Sequence, residues 1–109
     1  MNAVQNDMIS RLEAMIHERR AGDADSSYVA SLFAKGREKM AQKVGEEATE
    51  TVIAALSGDP AKLTSEAADL IFHLLILLAE GGVQFADVLA ELERREGVSG
   101  IAEKARRKE

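Results

Sequence analysis

Apolar side chains recur at helical spacing along most of this chain, in stretches separated by glycine, proline and short polar runs. The pattern predicts a first helix over residues 3–21, ended by Gly22. A second helix contains Tyr28 and Phe33, and Gly36 either breaks it or weakens it. Longer helices follow over residues 37–57, 60–80 and 84–96, with a turn and a short helix in the last segment.

The helix predicted over residues 60–80 has the clearest start signal and the most apolar composition. Asp59 can cap it, and Pro60 suits the first helical position, where its missing N–H costs nothing. From residue 70 to residue 79 only His73 interrupts the apolar side chains. A helix that is apolar all round is buried on all sides. In a chain of this size we expect such burial to need a partner subunit, so the minimum assembly is a homodimer.

The helix predicted over residues 37–57 carries an apolar stripe and an acidic side. At 100° per residue the stripe predicts the face that packs on the core. Glu46 and Glu50 lie roughly opposite it, and Glu47 lies on its flank. Ile53 continues the acidic side, which indicates a second packed surface. The stripe consists of Ala41, Val44, Ala48, Val52 and Ala55.

Composition adds the fold class. The 109 residues are 46% apolar and 30% charged, with one proline and no cysteine. Good helix formers dominate, so we expect one all-α domain over residues 1–109, a bundle of four to five helices completed by dimerisation. The missing cysteines exclude disulfides and thiolate metal sites. A net charge of −5 gives no basic face for nucleic acid, and residues 70–79 are too few to cross a membrane. Without a signal-peptide pattern, the expected location is the cytoplasm.

Two acidic pairs are the candidate chemistry. Glu47 and Glu50 are three residues apart on one predicted helix, and Glu66 and Asp69 have the same spacing on the next. Because a short connection makes these helices antiparallel neighbours, the two pairs can approach each other. Four crowded carboxylates repel each other unless a cation lies between them. Oxygen ligands favour Mg²⁺, with Mn²⁺ as the alternative.

Other readings stay open at this point. Glutamates on a helix are common without any ligand, and Lys43 with Glu47 is an ordinary solvated pair. Lys39 and Lys43 are candidate phosphate contacts, because the chain has no glycine-rich phosphate loop. Either lysine can equally be a solubilising surface residue. His73 fits a hydrogen-bonded core residue better than a metal ligand.

The pattern Glu46-Glu47-x-x-Glu50, then Glu66-x-x-Asp69, resembles the motif of the MazG-like all-α nucleotide pyrophosphohydrolases. Within that superfamily the chain is similar to the phosphoribosyl-ATP pyrophosphatase family. The segments that carry this narrower resemblance are Ser27-Tyr28-Val29 with Leu32 and Gly36, Lys43-Val44-Gly45-Glu46-Glu47-Ala48, and Gly100-Ile101-Ala102-Glu103-Lys104.

The resemblance implies Mg²⁺-dependent hydrolysis of phosphoribosyl-ATP to phosphoribosyl-AMP and pyrophosphate, in histidine biosynthesis. It also implies a helical dimer with the site near the subunit interface. Two alternatives remain: a house-cleaning hydrolase of nucleoside triphosphates, and a non-catalytic helical oligomerisation module. By position the metal ligands are Glu47, Glu50, Glu66 and Asp69, the catalytic glutamates are Glu46, Glu47 and Glu50, and the phosphate contacts are Lys39 and Lys43.

Overall fold

The computed structural model describes residues 3–97 and 100–107, and the regular structure in these ranges is entirely helical. The all-α prediction is therefore confirmed. Within these ranges there are six helices rather than four to five, since Gly36 (φ 99°) separates two of them and the last segment forms its own. The helices are α1 (Ala3–Arg19), α2 (Tyr28–Lys35), α3 (Arg37–Ser57), α4 (Pro60–Glu80), α5 (Phe85–Arg95) and α6 (Gly100–Arg107).

The helix boundaries follow the residues that predicted them. Ser27 caps α2, with its hydroxyl accepting a hydrogen bond from the Ala30 N–H at 3.2 Å. Gly58 ends α3 in the left-handed conformation (φ 77°), which glycine adopts at little cost. Asp59 then caps α4 by accepting a hydrogen bond from the Ala61 N–H at 3.0 Å. Only two residues separate α3 from α4, so these helices form an antiparallel hairpin with the most extensive helix–helix packing in the chain.

The hydrophobic core lies at one end of this hairpin, where α1 and α2 pack on it. α1 ends two residues earlier than predicted, and its Val4 side chain lies outside the described residues. α5 begins where Phe85 packs against the core, and its first turn is bound to α1 by a hydrogen bond from the Phe85 N–H to the Glu13 carboxylate. The buried core residues are Ile16, Val29, Leu32, Met40, Leu75, Ile76 and Ala79.

The face of α3 that packs on the rest of the chain is not the predicted apolar stripe. Ala41, Val52 and Ala55 are exposed, and the remaining two members of the stripe are only half-buried. The buried residues of α3 are Met40, Glu47 and Ala54, which are seven residues apart and so share one side of the helix. The prediction was wrong because an acidic residue, Glu47, occupies the middle of the interior face. Helical periodicity alone would assign a glutamate to the outside of the helix.

The single chain leaves much apolar surface uncovered. Ile71, inside the apolar run of α4, is 43% exposed, and Ile53 and Leu56 of α3 are 61% and 83% exposed. The accessible surface is 7498 Å², whereas a compact monomer of 11.8 kDa has about 5,900 Å². Among the described residues no single helix is long and apolar enough to span a membrane. α4 and α5 together have the length and apolar composition of a span, but the two helices meet at a bend of 104°.

Two arginines hold the C-terminal end of α4. Arg20 donates hydrogen bonds to the Ala79 carbonyl at 3.1 Å and to the Glu80 carboxylate at 3.3 Å, and its guanidinium lies 4.7 Å from the centre of the Phe33 ring. Arg37 donates to the Glu80 carbonyl at 3.3 Å. Helix carbonyls at this end lack partners within the helix, so the two cations satisfy them and fasten α1 and α3 to α4.

Candidate functional site

Three of the predicted metal ligands meet in the middle of the α3/α4 hairpin. Carboxylate oxygens of Glu47, Glu66 and Asp69 all lie within 4.8 Å of one another. Glu47 is 7% exposed, so its charge stands largely out of water, whereas Asp69 is exposed and Glu66 is half-buried. We refer to these three residues as the carboxylate cluster. It is open to solvent on one side and closed on the other.

One threonine fixes the spacing of the two helices at this level. The Thr51 hydroxyl lies 2.7 Å from the Glu47 carbonyl oxygen, one turn back in α3, and 3.2 Å from the Glu66 carbonyl oxygen of α4. Because a hydroxyl has a single proton, the two carbonyls share one donor. This contact ties the backbone of one member of the carboxylate cluster to the backbone of another.

The cluster is electrostatically unfavourable on its own. Desolvation raises the pKa of the Glu66 carboxyl above its ordinary value of 4.5, and the charges of Glu50, Asp69 and Glu47 raise it further. Both effects favour the protonated acid. A divalent cation between the carboxylates would reverse the second effect and stabilise the ionised form.

Glu50 lies beside the cluster and not within it. Its carboxylate is absent from the group of three, yet its charge acts on the pKa of Glu66. Glu50 and Glu66 line an open cleft of about 340 Å³ between α3 and α4, together with Ile53, Ala54, Ser57 and Lys62. The cleft joins the acidic residues to an apolar wall and an ammonium group. It therefore suits a ligand with both charged and apolar parts.

Glu46 points to a different set of partners. Its carboxylate accepts a hydrogen bond from the Gln42 amide at 2.8 Å and lies 3.3 Å from the Lys43 ammonium, which together lower its pKa. Lys43 also lies 3.7 Å from a Glu47 oxygen, so it stands between Glu46 and the cluster. Lys39 is half-buried on the same helix and close enough for its charge to lower the pKa of Glu46.

His73 is a buried, hydrogen-bonded residue (6% exposed), as the sequence predicted, and the structure shows a partner at each ring nitrogen. Its Nδ1 lies 2.8 Å from the Asp69 carbonyl oxygen, and its Nε2 lies 2.8 Å from the Tyr28 hydroxyl. Sequence reasoning did not find the contact with Tyr28, because the two residues are 45 positions apart on different helices. The four-residue step from Asp69 to His73 was the only local signal.

The donor set fits Mg²⁺ or Mn²⁺. The cluster offers only carboxylate oxygens, which these hard cations prefer, and neither cysteine nor a free histidine nitrogen adjoins it among the described residues. Glu47 supports the fit in particular, because a carboxylate 7% exposed is costly unless a cation neutralises it. Lys43 at 3.7 Å is its one cationic partner in the described part of the chain.

Comparison with known proteins gives a consistent result. The family model for phosphoribosyl-ATP pyrophosphohydrolase matches residues 9–96. A phosphoribosyl-ATP pyrophosphatase of Rhizorhabdus wittichii is 67% identical over 99 residues, which cover 91% of this chain and 93% of the relative. The enzyme of the same name from Novosphingobium aromaticivorans is 67% identical over 101 residues, covering 93% and 94%. That from Sphingopyxis alaskensis is 57% identical over 108 residues, covering 98% and 99%.

Proposed function

Because this chain belongs to the phosphoribosyl-ATP pyrophosphohydrolase family, we propose that it hydrolyses phosphoribosyl-ATP to phosphoribosyl-AMP and pyrophosphate, the second step of histidine biosynthesis. The observation that carries the proposal is the carboxylate cluster, with Glu47 kept from water at the centre of the hairpin. We also propose that the enzyme acts in the cytoplasm.

Glu47, Glu66 and Asp69 hold a Mg²⁺ ion in this proposal, and Glu50 is the fourth ligand or a direct neighbour. When bound, the ion neutralises phosphate charge and lowers the pKa of a coordinated water. Mn²⁺ is expected to substitute, since it accepts the same oxygen ligands. The protein contributes the spacing of the ligands, which Thr51 fixes through the two backbone carbonyls.

Water attacks one phosphorus of the α,β-anhydride, and the bond to the bridging oxygen breaks to release pyrophosphate. A carboxylate must take the proton from the attacking water. Glu50 suits this role better than Glu46, because Glu50 lines the cleft beside Glu66, whereas the Glu46 carboxylate is already bound by Gln42 and Lys43. Glu50 has no such partner in the described part of the chain. Lys43 and Lys39, along the same helix, contact the phosphates.

We further propose that the active form is a homodimer with the site close to the interface. The support is the apolar surface that one chain leaves exposed on α3 and α4. Light scattering after size-exclusion chromatography tests this. The wild type is expected at twice the chain mass, and Leu56→Glu, which places a charge on a residue 83% exposed, is expected to shift it toward the monomer. Ala34→Glu on α2 is the charge-matched control. A wild-type monomer at micromolar concentration would contradict the dimer.

The activity is tested with phosphoribosyl-ATP and a panel of nucleoside triphosphates, with pyrophosphate release as the readout. We expect Mg²⁺-dependent turnover of phosphoribosyl-ATP, and a loss of at least about a hundredfold in Glu47→Gln, Glu66→Gln and Asp69→Asn. Turnover of dUTP or dCTP without phosphoribosyl-ATP would favour a house-cleaning hydrolase instead. No Mg²⁺ or Mn²⁺ binding by calorimetry would favour a non-catalytic module.

A further inference from the structure

Tyr28 and His73 form a hydrogen-bonded pair beside the carboxylate cluster that the proposed reaction does not use. The Tyr28 hydroxyl lies 2.8 Å from His73 Nε2, and the tyrosine ring stacks on Phe72 with 6.4 Å between ring centres. His73 is 6% exposed, whereas Tyr28 is 50% exposed. The pair therefore consists of a buried, fixed imidazole and a phenol that reaches solvent.

The direction of the hydrogen bonds follows from the carbonyl at one end. The Asp69 carbonyl oxygen, 2.8 Å from His73 Nδ1, can only accept, so Nδ1 carries the proton. In the neutral imidazole Nε2 is then the acceptor, and the Tyr28 hydroxyl donates to it. Burial raises the pKa of the Tyr28 phenol, which keeps that proton in place at neutral pH. With its only proton committed to His73, the Tyr28 oxygen has lone pairs alone to offer a ligand.

This oxygen lies next to the candidate metal site. Asp69, whose backbone carries the His73 contact, is a member of the carboxylate cluster. A single imidazole ring separates the phenol from Asp69, because His73 Nε2 lies 2.8 Å from the Tyr28 hydroxyl and His73 Nδ1 lies 2.8 Å from the Asp69 carbonyl oxygen. A nucleotide held at the cluster would therefore have part of its structure within reach of Tyr28.

We propose, on the basis of the proposed function, that Tyr28 is a substrate-binding residue whose hydroxyl oxygen accepts a hydrogen bond from a ribose hydroxyl, and that His73 is the positioning residue that orients it. Phosphate oxygens are acceptors and cannot pair with a phenol whose proton is already donated. The two riboses of phosphoribosyl-ATP carry hydroxyl groups, which donate. The Tyr28 oxygen, whose hydroxyl is oriented by the buried His73 imidazole at 2.8 Å, can therefore bind a ribose hydroxyl but not a phosphate oxygen.

The test combines Tyr28→Phe with two substrate analogues, one lacking both hydroxyls of the adenosine ribose and the other lacking both of the phosphoribosyl group. Removing the phenol hydroxyl is expected to lower kcat/KM for the full substrate about fivefold, the usual effect of one hydrogen bond. With the analogue that lacks the contacted hydroxyls, wild type and Tyr28→Phe are expected to have the same kcat/KM. Thr64→Val, which removes a hydroxyl from an exposed position of α4, is the control expected to show no change.

The positioning role has its own variants. His73→Phe is expected to reproduce the Tyr28→Phe defect, since the phenol loses the acceptor that orients it. In His73→Gln the side-chain oxygen can again accept the tyrosine proton, so part of the activity is expected to return. The positioning role would be overturned if His73→Phe and His73→Gln lost kcat/KM equally and lost as much with the hydroxyl-free analogues as with the full substrate. That result would indicate that His73 has only a structural role.

Binding without turnover gives a second readout. The chain has one tyrosine and no tryptophan, so its tyrosine fluorescence reports on Tyr28 alone. Adding phosphoribosyl-ATP and Mg²⁺ to Glu50→Gln, which lacks the proposed base and keeps the three residues of the carboxylate cluster, is expected to change this emission, and the hydroxyl-free analogue is expected to change it less. If wild type turns over phosphoribosyl-ATP but Tyr28→Phe is penalised equally on every analogue, or not at all, the assignment of Tyr28 is wrong while the proposed function stands. If wild type shows no turnover, the proposed function itself is wrong.

Discussion

The substitution Glu47→Gln separates a metal site from a merely acidic helix face, because it should affect the metal-free and metal-bound forms in opposite directions. In the metal-free protein it removes the charge that is most shielded from water, within 4.8 Å of two other carboxylates. The neutral amide relieves like-charge repulsion, so the variant should fold and be at least as stable as wild type. With Mg²⁺ present, the variant lacks one ligand.

The size of the metal effect can be worked out. An ion at a hundred times its Kd stabilises the folded state by about 2.7 kcal/mol. The unfolding entropy of a 109-residue chain is about 230 cal/mol/K, so this corresponds to a rise of about 12 °C in Tm. If the lost ligand weakens the Kd about a hundredfold, the same Mg²⁺ concentration stabilises Glu47→Gln by only about 0.4 kcal/mol, or about 2 °C.

The assay is thermal unfolding followed by circular dichroism, with and without Mg²⁺, on wild type, Glu47→Gln and the control Glu93→Gln. Glu93 is an exposed glutamate of α5, distant in sequence from the cluster, so its variant should keep the wild-type response. An equal rise in Tm for wild type and Glu47→Gln would refute the metal site as drawn. An unfolded metal-free Glu47→Gln would show that the buried carboxylate is structural instead.

Three smaller predictions test the scaffold. Arg20→Ala should lower the free energy of unfolding by about 1–3 kcal/mol, because Arg20, which directly follows α1, holds that helix to α4. In the control Arg19→Ala the free energy of unfolding should stay within about 0.5 kcal/mol of wild type, and chemical denaturation measures both. Gly58→Ala, at φ 77°, should cost about 1–2 kcal/mol, while Gly45→Ala, inside α3 with open space around its Cβ, should stabilise by about 0.5–1 kcal/mol; the same sign for both would contradict the backbone argument. Glu91, whose pKa two arginine hydrogen bonds lower to about 2, should stabilise α5 fully above pH 4.5 and lose that contribution as the pH falls toward 2. The protection of α5 amides from hydrogen exchange should therefore be greater in wild type than in Glu91→Gln near neutral pH, and the two proteins should become equal in acid.

The helix boundaries could be predicted from the sequence because local chemistry sets them. Asp59 with Pro60 can start a helix and Gly58 can end one, whatever the rest of the chain does. The proximity of Glu47 to Glu66 and Asp69 could also be predicted from the sequence, because equal spacing on the two helices of one hairpin brings the side chains to the same level.

The interior face of α3 and the partner of His73 could not be predicted in the same way. Periodicity assigns polar residues to the outside, so it fails where the buried face of a helix contains a charged residue, as Glu47 does between Met40 and Ala54. The contact between Tyr28 and His73 joins two helices that are not consecutive, and side-chain spacing along one helix carries no information about it. Glu46, which the motif groups with the cluster, turns to Gln42 and Lys43 because successive helical residues are 100° apart.

The two-residue connection between α3 and α4 also affects how the site comes into being. All three cluster carboxylates lie within residues 47–69, so the site requires only a local chain reversal and no contact distant in sequence. Helical hairpins with such short loops form early, since closing a short loop costs little chain entropy. The carboxylate cluster can therefore assemble before α1 and α2 have packed on the hairpin, and the metal ion proposed above, if bound at that stage, would favour folding as well as the folded protein.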